Sequence, residues 1–109
     1  FVDSFGSEYI GWFFDVGNIL LTGLPEQWIR ILGKRIKKVH VKDFRKSVGT
    51  LDGFVDLLEG DVNWPEVMKA LREVGYDDYL IAEMIPGYAF APETRLENTS
   101  NAMDKILKM

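Results

Sequence analysis

The 109 residues contain no cysteine and a single histidine, His40. Without cysteine no disulfide can form, and any metal has to be held by His, Asp or Glu. Long apolar runs are also missing. No stretch reaches the roughly 18 to 20 residues needed to cross a bilayer. The opening Phe1-Val2-Asp3-Ser4 has no basic segment leading into an apolar one, so it does not read as a signal peptide. The cytoplasm is therefore the default location. Positive charge is in the minority, with 13 Lys and Arg against 17 Asp and Glu and a formal net charge of −4. That speaks against a nucleic-acid partner, which needs a basic surplus on one face. It leaves room for a local basic pocket that takes a sugar phosphate.

What is present is a globular composition, 47% apolar and 13% aromatic. It is enough for one domain with a modest core. The chain opens without Met on Phe1-Val2-Asp3-Ser4-Phe5-Gly6, which reads as the end of an amphipathic helix with a glycine cap. Residues upstream are therefore expected.

The apolar run Ile10 to Phe14, followed by Gly17, predicts a buried parallel strand. Pro25 marks a first helical turn, and Trp28, Ile29, Leu32 and Ile36 recur at helical spacing, so a helix is expected over 25 to 35. Val39 to Val41 is the next strand. The connection from Asp43 to Asp61, with Gly49, Gly53 and Gly60, is long for a compact domain and therefore reads as functional or disordered. A helical turn is expected within it at Leu51 to Leu58. Asn63 followed by Pro65 and Glu66 is an N-cap signal. Val67, Ala70, Leu71 and Val74 form one apolar face, and Gly75 is a stop. Tyr79 to Ala82 is a third strand. A last helix follows Pro92, with Leu96, Met103, Ile106 and Leu107 on one face. Strands alternating with helices imply an α/β fold with parallel strands and right-handed crossovers.

Each strand ends in a residue able to bind metal: Asp15 in Phe13-Phe14-Asp15-Val16-Gly17-Asn18, His40 in Val39-His40-Val41-Lys42-Asp43, and Glu83 in Ile81-Ala82-Glu83-Met84. In parallel α/β folds the C-terminal strand ends share one mouth, where functional groups collect. Taken singly, Asp15 could shape a turn and His40 could be a core residue. Glu83 after Leu80-Ile81-Ala82 is expected to be buried, where a carboxylate needs a partner or a metal. One nitrogen and two carboxylates suit Mn²⁺, Co²⁺ or Mg²⁺, and also Zn²⁺ with open positions. Such a site polarises a hydroxy-ketone and stabilises an enediolate while a carboxylate moves the proton. That is isomerase or epimerase chemistry.

These motifs, together with Glu59-Gly60-Asp61-Val62-Asn63-Trp64, resemble the successive motifs of the xylose isomerase-like barrel superfamily. The similarity is greatest to its sugar-phosphate isomerase and epimerase members, such as ketose 3-epimerases and hexulose-6-phosphate isomerases. The resemblance implies that residues 1–109 are the C-terminal three βα units of a (β/α)8 TIM barrel, strands six to eight with their helices. It implies Asp15, His40 and Glu83 as metal ligands and Glu83 as a catalytic acid/base. It also implies Asn18, Arg45 and Lys46 as groups that contact a sugar or sugar-phosphate substrate, with Glu59 near the mouth. The fourth ligand and second proton-transfer group, a Glu on strand five, has no counterpart here, because Glu8 lies in the turn before the first strand. Either upstream strands or self-association should complete the barrel.

An endonuclease IV-like DNA repair enzyme of the same superfamily is the alternative. However, Asp15-Val16-Gly17-Asn18 and Asp43-Phe44-Arg45 lack the further histidines of its three-metal site. A non-catalytic barrel fragment is the other alternative.

Overall fold

Apolar runs set off by Pro and Gly fold as alternating strands and helices. In chain order these are β1 (Trp12–Asp15), α1 (Val16–Ile19), α2 (Pro25–Leu32), β2 (Ile36–Val41), β3 (Asp43–Phe44), β4 (Phe54–Val55), α3 (Trp64–Glu73), β5 (Leu80–Ala82) and α4 (Glu93–Ile106). The computed structural model describes residues 1–109. Strands β1, β2 and β5 form a parallel sheet with β2 in the centre, the arrangement that strand–helix alternation dictates. No helix is long and apolar enough to cross a membrane.

Register assigns each side chain to a face. Phe14 lies opposite Val39, which lies opposite Leu80, while Asp15 lies opposite His40, which lies opposite Ile81. Side chains alternate along a strand, so Phe14, Val39 and Val41 turn toward the helices and are fully buried. Helices α2 and α3 pack side by side, and they bury Ile29, Leu32, Val67, Ala70 and Leu71. Each of these side chains apart from Ala70 contributes about 1.5 to 3 kcal/mol. The N-terminus of α3 forms as its sequence signals, with the Asn63 side chain accepting from the Glu66 N–H and Pro65 in the first turn. Gly75, at φ 71°, ends the helix in the left-handed region.

Several expectations are corrected by the packing. The run Ile10 to Phe14 pairs only from Trp12 onward. Its Phe13 is 55% exposed rather than buried, because that face of the sheet is open. Helix α2 ends at Leu32 and gives way to a 3-10 turn, Gly33–Arg35. The opening residues form one 3-10 turn, Val2–Phe5, with no buried residue.

The Asp43 to Asp61 connection is folded rather than loose. Strands β3 and β4 pair antiparallel, and the helical turn between them is limited to Leu51–Gly53. On α4, Ile106 is buried, but Leu96, and Leu107 just past the helix end, are mostly exposed. Arg95 takes the inward position instead, where its Nη1 reaches Asp56 Oδ1 at 3.0 Å. The Tyr88 hydroxyl donates to the same Asp56 carboxylate, tying the segment after β5 to the segment after β4.

Candidate metal centre

Three C-terminal strand ends deliver the three residues. Asp15 closes β1 and caps α1, its Oδ1 accepting from the Asn18 N–H at 2.8 Å. Its Oδ2 lies 3.8 Å from His40 Nδ1. His40 is directly opposite Asp15 in the β1–β2 register. Its ring packs on Phe13 with centroids 4.2 Å apart, and its Nδ1 is 3.1 Å from Glu83 Oε2. Glu83 follows β5, and its N–H donates to the Val41 carbonyl at 3.1 Å, which continues the ladder. Two residues beyond Ile81, it shares the face of His40. One ligand atom from each of Asp15, His40 and Glu83 lies within 4.8 Å of the others.

Exposure across the cluster is uneven. The Asp15 side chain is 14% exposed, His40 25% and Glu83 45%. Glu83 is therefore not the buried carboxylate that its apolar strand implied, because it sits one residue beyond the strand on the open face.

The electrostatics match this placement. Burial is the main force holding the Asp15 carboxyl above the usual carboxylate range, opposed by the Asn18 N–H and reinforced by the neighbouring Glu83 carboxyl. Glu83 is held below that range, first by the hydrogen bond from Lys42 and then by Asp15. Two carboxylates crowded beside a histidine form a set that a divalent cation relieves, and the mixed oxygen and nitrogen donors suit such an ion. The residues present therefore fit a metal.

The structure places the other expected residues less centrally. Asn18 is exposed at the start of α1, joined to Asp15 through its backbone. Arg45 and Lys46 lie on the exposed turn after β3, where Arg45 Nη2 donates to the Glu59 carbonyl at 3.0 Å and the Lys46 N–H donates to Asp61 at 2.7 Å. Neither bonds to the Asp15–His40–Glu83 cluster. Glu59 is exposed as well.

Two residues stand out that sequence reasoning passed over. Lys42 Nζ donates to Glu83 Oε2 at 3.1 Å. Asp43, 1% exposed, accepts from Phe44, Leu58 and Val62 N–H groups and from Trp64 Nε1. The signal for Lys42 was available, since two residues after His40 in a strand means the same face.

Comparison with known proteins agrees with this fold. The family described as a xylose isomerase-like TIM barrel matches residues 1–106. In sequence the chain is 32% identical over 85 residues to the uncharacterized protein MJ1311 of Methanocaldococcus jannaschii, covering 75% of this chain and 28% of that protein. In structure it is similar to the IOLI protein solved with a binding zinc atom, at a TM-score of 0.84 and 18% identity. It is also similar to a xylose isomerase domain protein from Planctomyces limnophilus, at 0.77 and 23%, and to an L-ribulose 3-epimerase, at 0.72 and 17%. Each of these superpositions covers 98% of this chain, but only 41%, 41% and 39% of the three solved chains in turn. The chain thus spans well under half the length of the proteins it matches. Its match over nearly every residue, with parallel strands ending at one mouth, shows that the chain belongs to the xylose isomerase-like TIM barrel family.

Proposed function

We propose that this chain carries part of the active site of a metal-dependent isomerase or epimerase acting on a ketose or sugar phosphate through an enediolate. The observation that carries the reading is the convergence of Asp15, His40 and Glu83 from three neighbouring strand ends. Asp15 and His40 would hold the metal, with Glu83 as a third ligand. A divalent cation there, Mn²⁺, Co²⁺, Mg²⁺ or Zn²⁺, would supply Lewis acidity toward two adjacent substrate oxygens. Glu83 would exchange a proton with the carbon beside the carbonyl on one face, and the second carboxylate, from outside this chain, would do so on the opposite face. Its depressed pKa, caused first by Lys42, keeps it ionised and able to accept. Asn18, Arg45 and Lys46, exposed beyond the same strand ends, are proposed to contact the sugar.

We further propose that residues 1–109 are strands six to eight of the barrel with their helices. Both outer strands of the sheet, β1 and β5, lack a second neighbour. A full barrel has eight strands over about 250 residues. The remaining ligand and the second proton-transfer carboxylate would come from outside this chain. A small-molecule substrate is favoured over DNA by the single histidine and the net charge of −4.

The test uses the intact protein and follows exchange of carbon-bound hydrogen in ketoses with deuterated water. Exchange should stop in excess chelator and return with Mn²⁺ or Co²⁺. Undiminished exchange with no metal left on the protein would refute the mechanism.

A further inference from the structure

We propose that Lys42 is the group of this centre that holds an anionic substrate oxygen, beyond its contact with Glu83; the inference rests on the metal-centre reading above. Lys42 follows His40 by two positions and so projects onto the same open face of the sheet. Its side chain is 15% exposed, against 25% for His40 and 45% for Glu83. Three elements fix it there. Its Nζ donates to Glu83 Oε2 at 3.1 Å, and it stands 4.2 Å from the centroid of the Phe54 ring on β4. The α1 glycine, Gly17, packs so closely that a Cβ there would lie 2.8 Å from the Lys42 carbonyl oxygen.

An ammonium has three donors, and Glu83 is the one acceptor this Nζ reaches. The others are available at the edge of the cluster. Charge favours the same conclusion. Asp15, Glu83 and the carboxylate ligand expected from outside this chain carry a formal −3, of which a divalent cation offsets two, so Lys42 is the group that brings the loaded site to neutrality before an anionic oxygen arrives. A half-buried ammonium beside the metal ligands favours a small oxyanion with two adjacent oxygens, the form an enediolate takes. A lysine that only propped Glu83 in place would hold the ligand geometry but would not select for charge.

Oxalate, a planar dianion with adjacent oxygens, is a suitable probe. Calorimetry on the intact protein would measure Mn²⁺ binding first, then oxalate binding to the Mn²⁺-loaded protein, for the parent, Lys42→Met, Lys42→Gln and Lys42→Arg. Removing a nearby cation should leave Mn²⁺ affinity unchanged or higher in the Met and Gln variants. Their oxalate affinity should fall about ten- to a hundredfold, the scale of a charge-assisted hydrogen bond, and Lys42→Arg should recover most of it. Circular dichroism would check that each variant folds, and Lys42→Gln carries the comparison if Lys42→Met does not. Parent-like oxalate affinity in the neutral variants would overturn the inference. Equal loss of Mn²⁺ and oxalate would also overturn it, making Lys42 a support for Glu83 alone. A parent that binds no Mn²⁺ would overturn the metal centre itself, and the inference with it.

Discussion

Replacing Asp43 with Asn tests what holds the segment after the His40 strand. Asp43 is 1% exposed, and its two oxygens take four donors. Oδ1 accepts from the Phe44 N–H at 2.9 Å and the Val62 N–H at 3.2 Å. Oδ2 accepts from the Leu58 N–H at 3.0 Å and Trp64 Nε1 at 3.1 Å. Asparagine keeps the shape, but its amide nitrogen can only donate, so whichever pair it faces becomes donor against donor. Two hydrogen bonds to a charged acceptor are lost, at about 1.5 to 3 kcal/mol each. Relaxation is blocked by Gly60, where even a Cβ would fall 2.1 Å from Asp43 Oδ1. Asp43→Asn should therefore destabilise the fold by about 3 kcal/mol or more. In a domain of 150 to 250 residues that corresponds to a Tm lower by roughly 6 to 12 °C. Urea unfolding of the intact protein should show a lower midpoint at unchanged m. A loss below about 1 kcal/mol, the net value of one ordinary hydrogen bond, would refute the reasoning.

Glu83→Gln should lower ketose proton exchange about a hundredfold to ten-thousandfold with little loss of stability, since the side chain is 45% exposed; parent-rate exchange would remove Glu83 from proton transfer. Asp15 has a raised folded pKa, caused first by burial. In metal-free protein its stabilising contribution is present below the unfolded value of 3.8 and is lost as pH rises through the folded value. Asp15→Asn, whose amide oxygen can still cap Asn18, should therefore be at least as stable as the parent at pH 7 in chelator, with the advantage shrinking below pH 4; thermal melts at the two pH values check this. The isolated 109-residue chain should show no epimerisation with added Mn²⁺ and should self-associate through its open strand edges and exposed Phe13 face. A monodisperse monomer with clear turnover would contradict that.

The cluster was readable in the sequence because each of its members ends a short apolar run, and parallel βα units bring such ends to one mouth. The helix ends were readable for similar local reasons, as Asn63 and Gly75 show. The β3–β4 pair was not, because two-residue strands carry no periodicity and their anchor is one carboxylate reaching residues 1 to 21 positions away. The exposure of Glu83 was misjudged because an apolar run does not say which face of its strand is covered, and Glu83 lies on the open face, where even Ile81 within β5 is 40% exposed. Leu96 and Leu107 fitted a helical stripe, but the demand of Asp56 for a cation turned Arg95 inward and set the rotation of α4.

The most direct measurement is the stoichiometry of Mn²⁺ binding to the intact, metal-stripped protein, followed by electron paramagnetic resonance, beside Asp15→Asn and His40→Gln variants. Binding at this centre in the parent, weakened at least tenfold in either variant, is the predicted result, consistent with the loss of a ligand from a set whose atoms lie within 4.8 Å of one another. Mn²⁺ binding of full strength in both variants, or none in the parent, would contradict the metal centre.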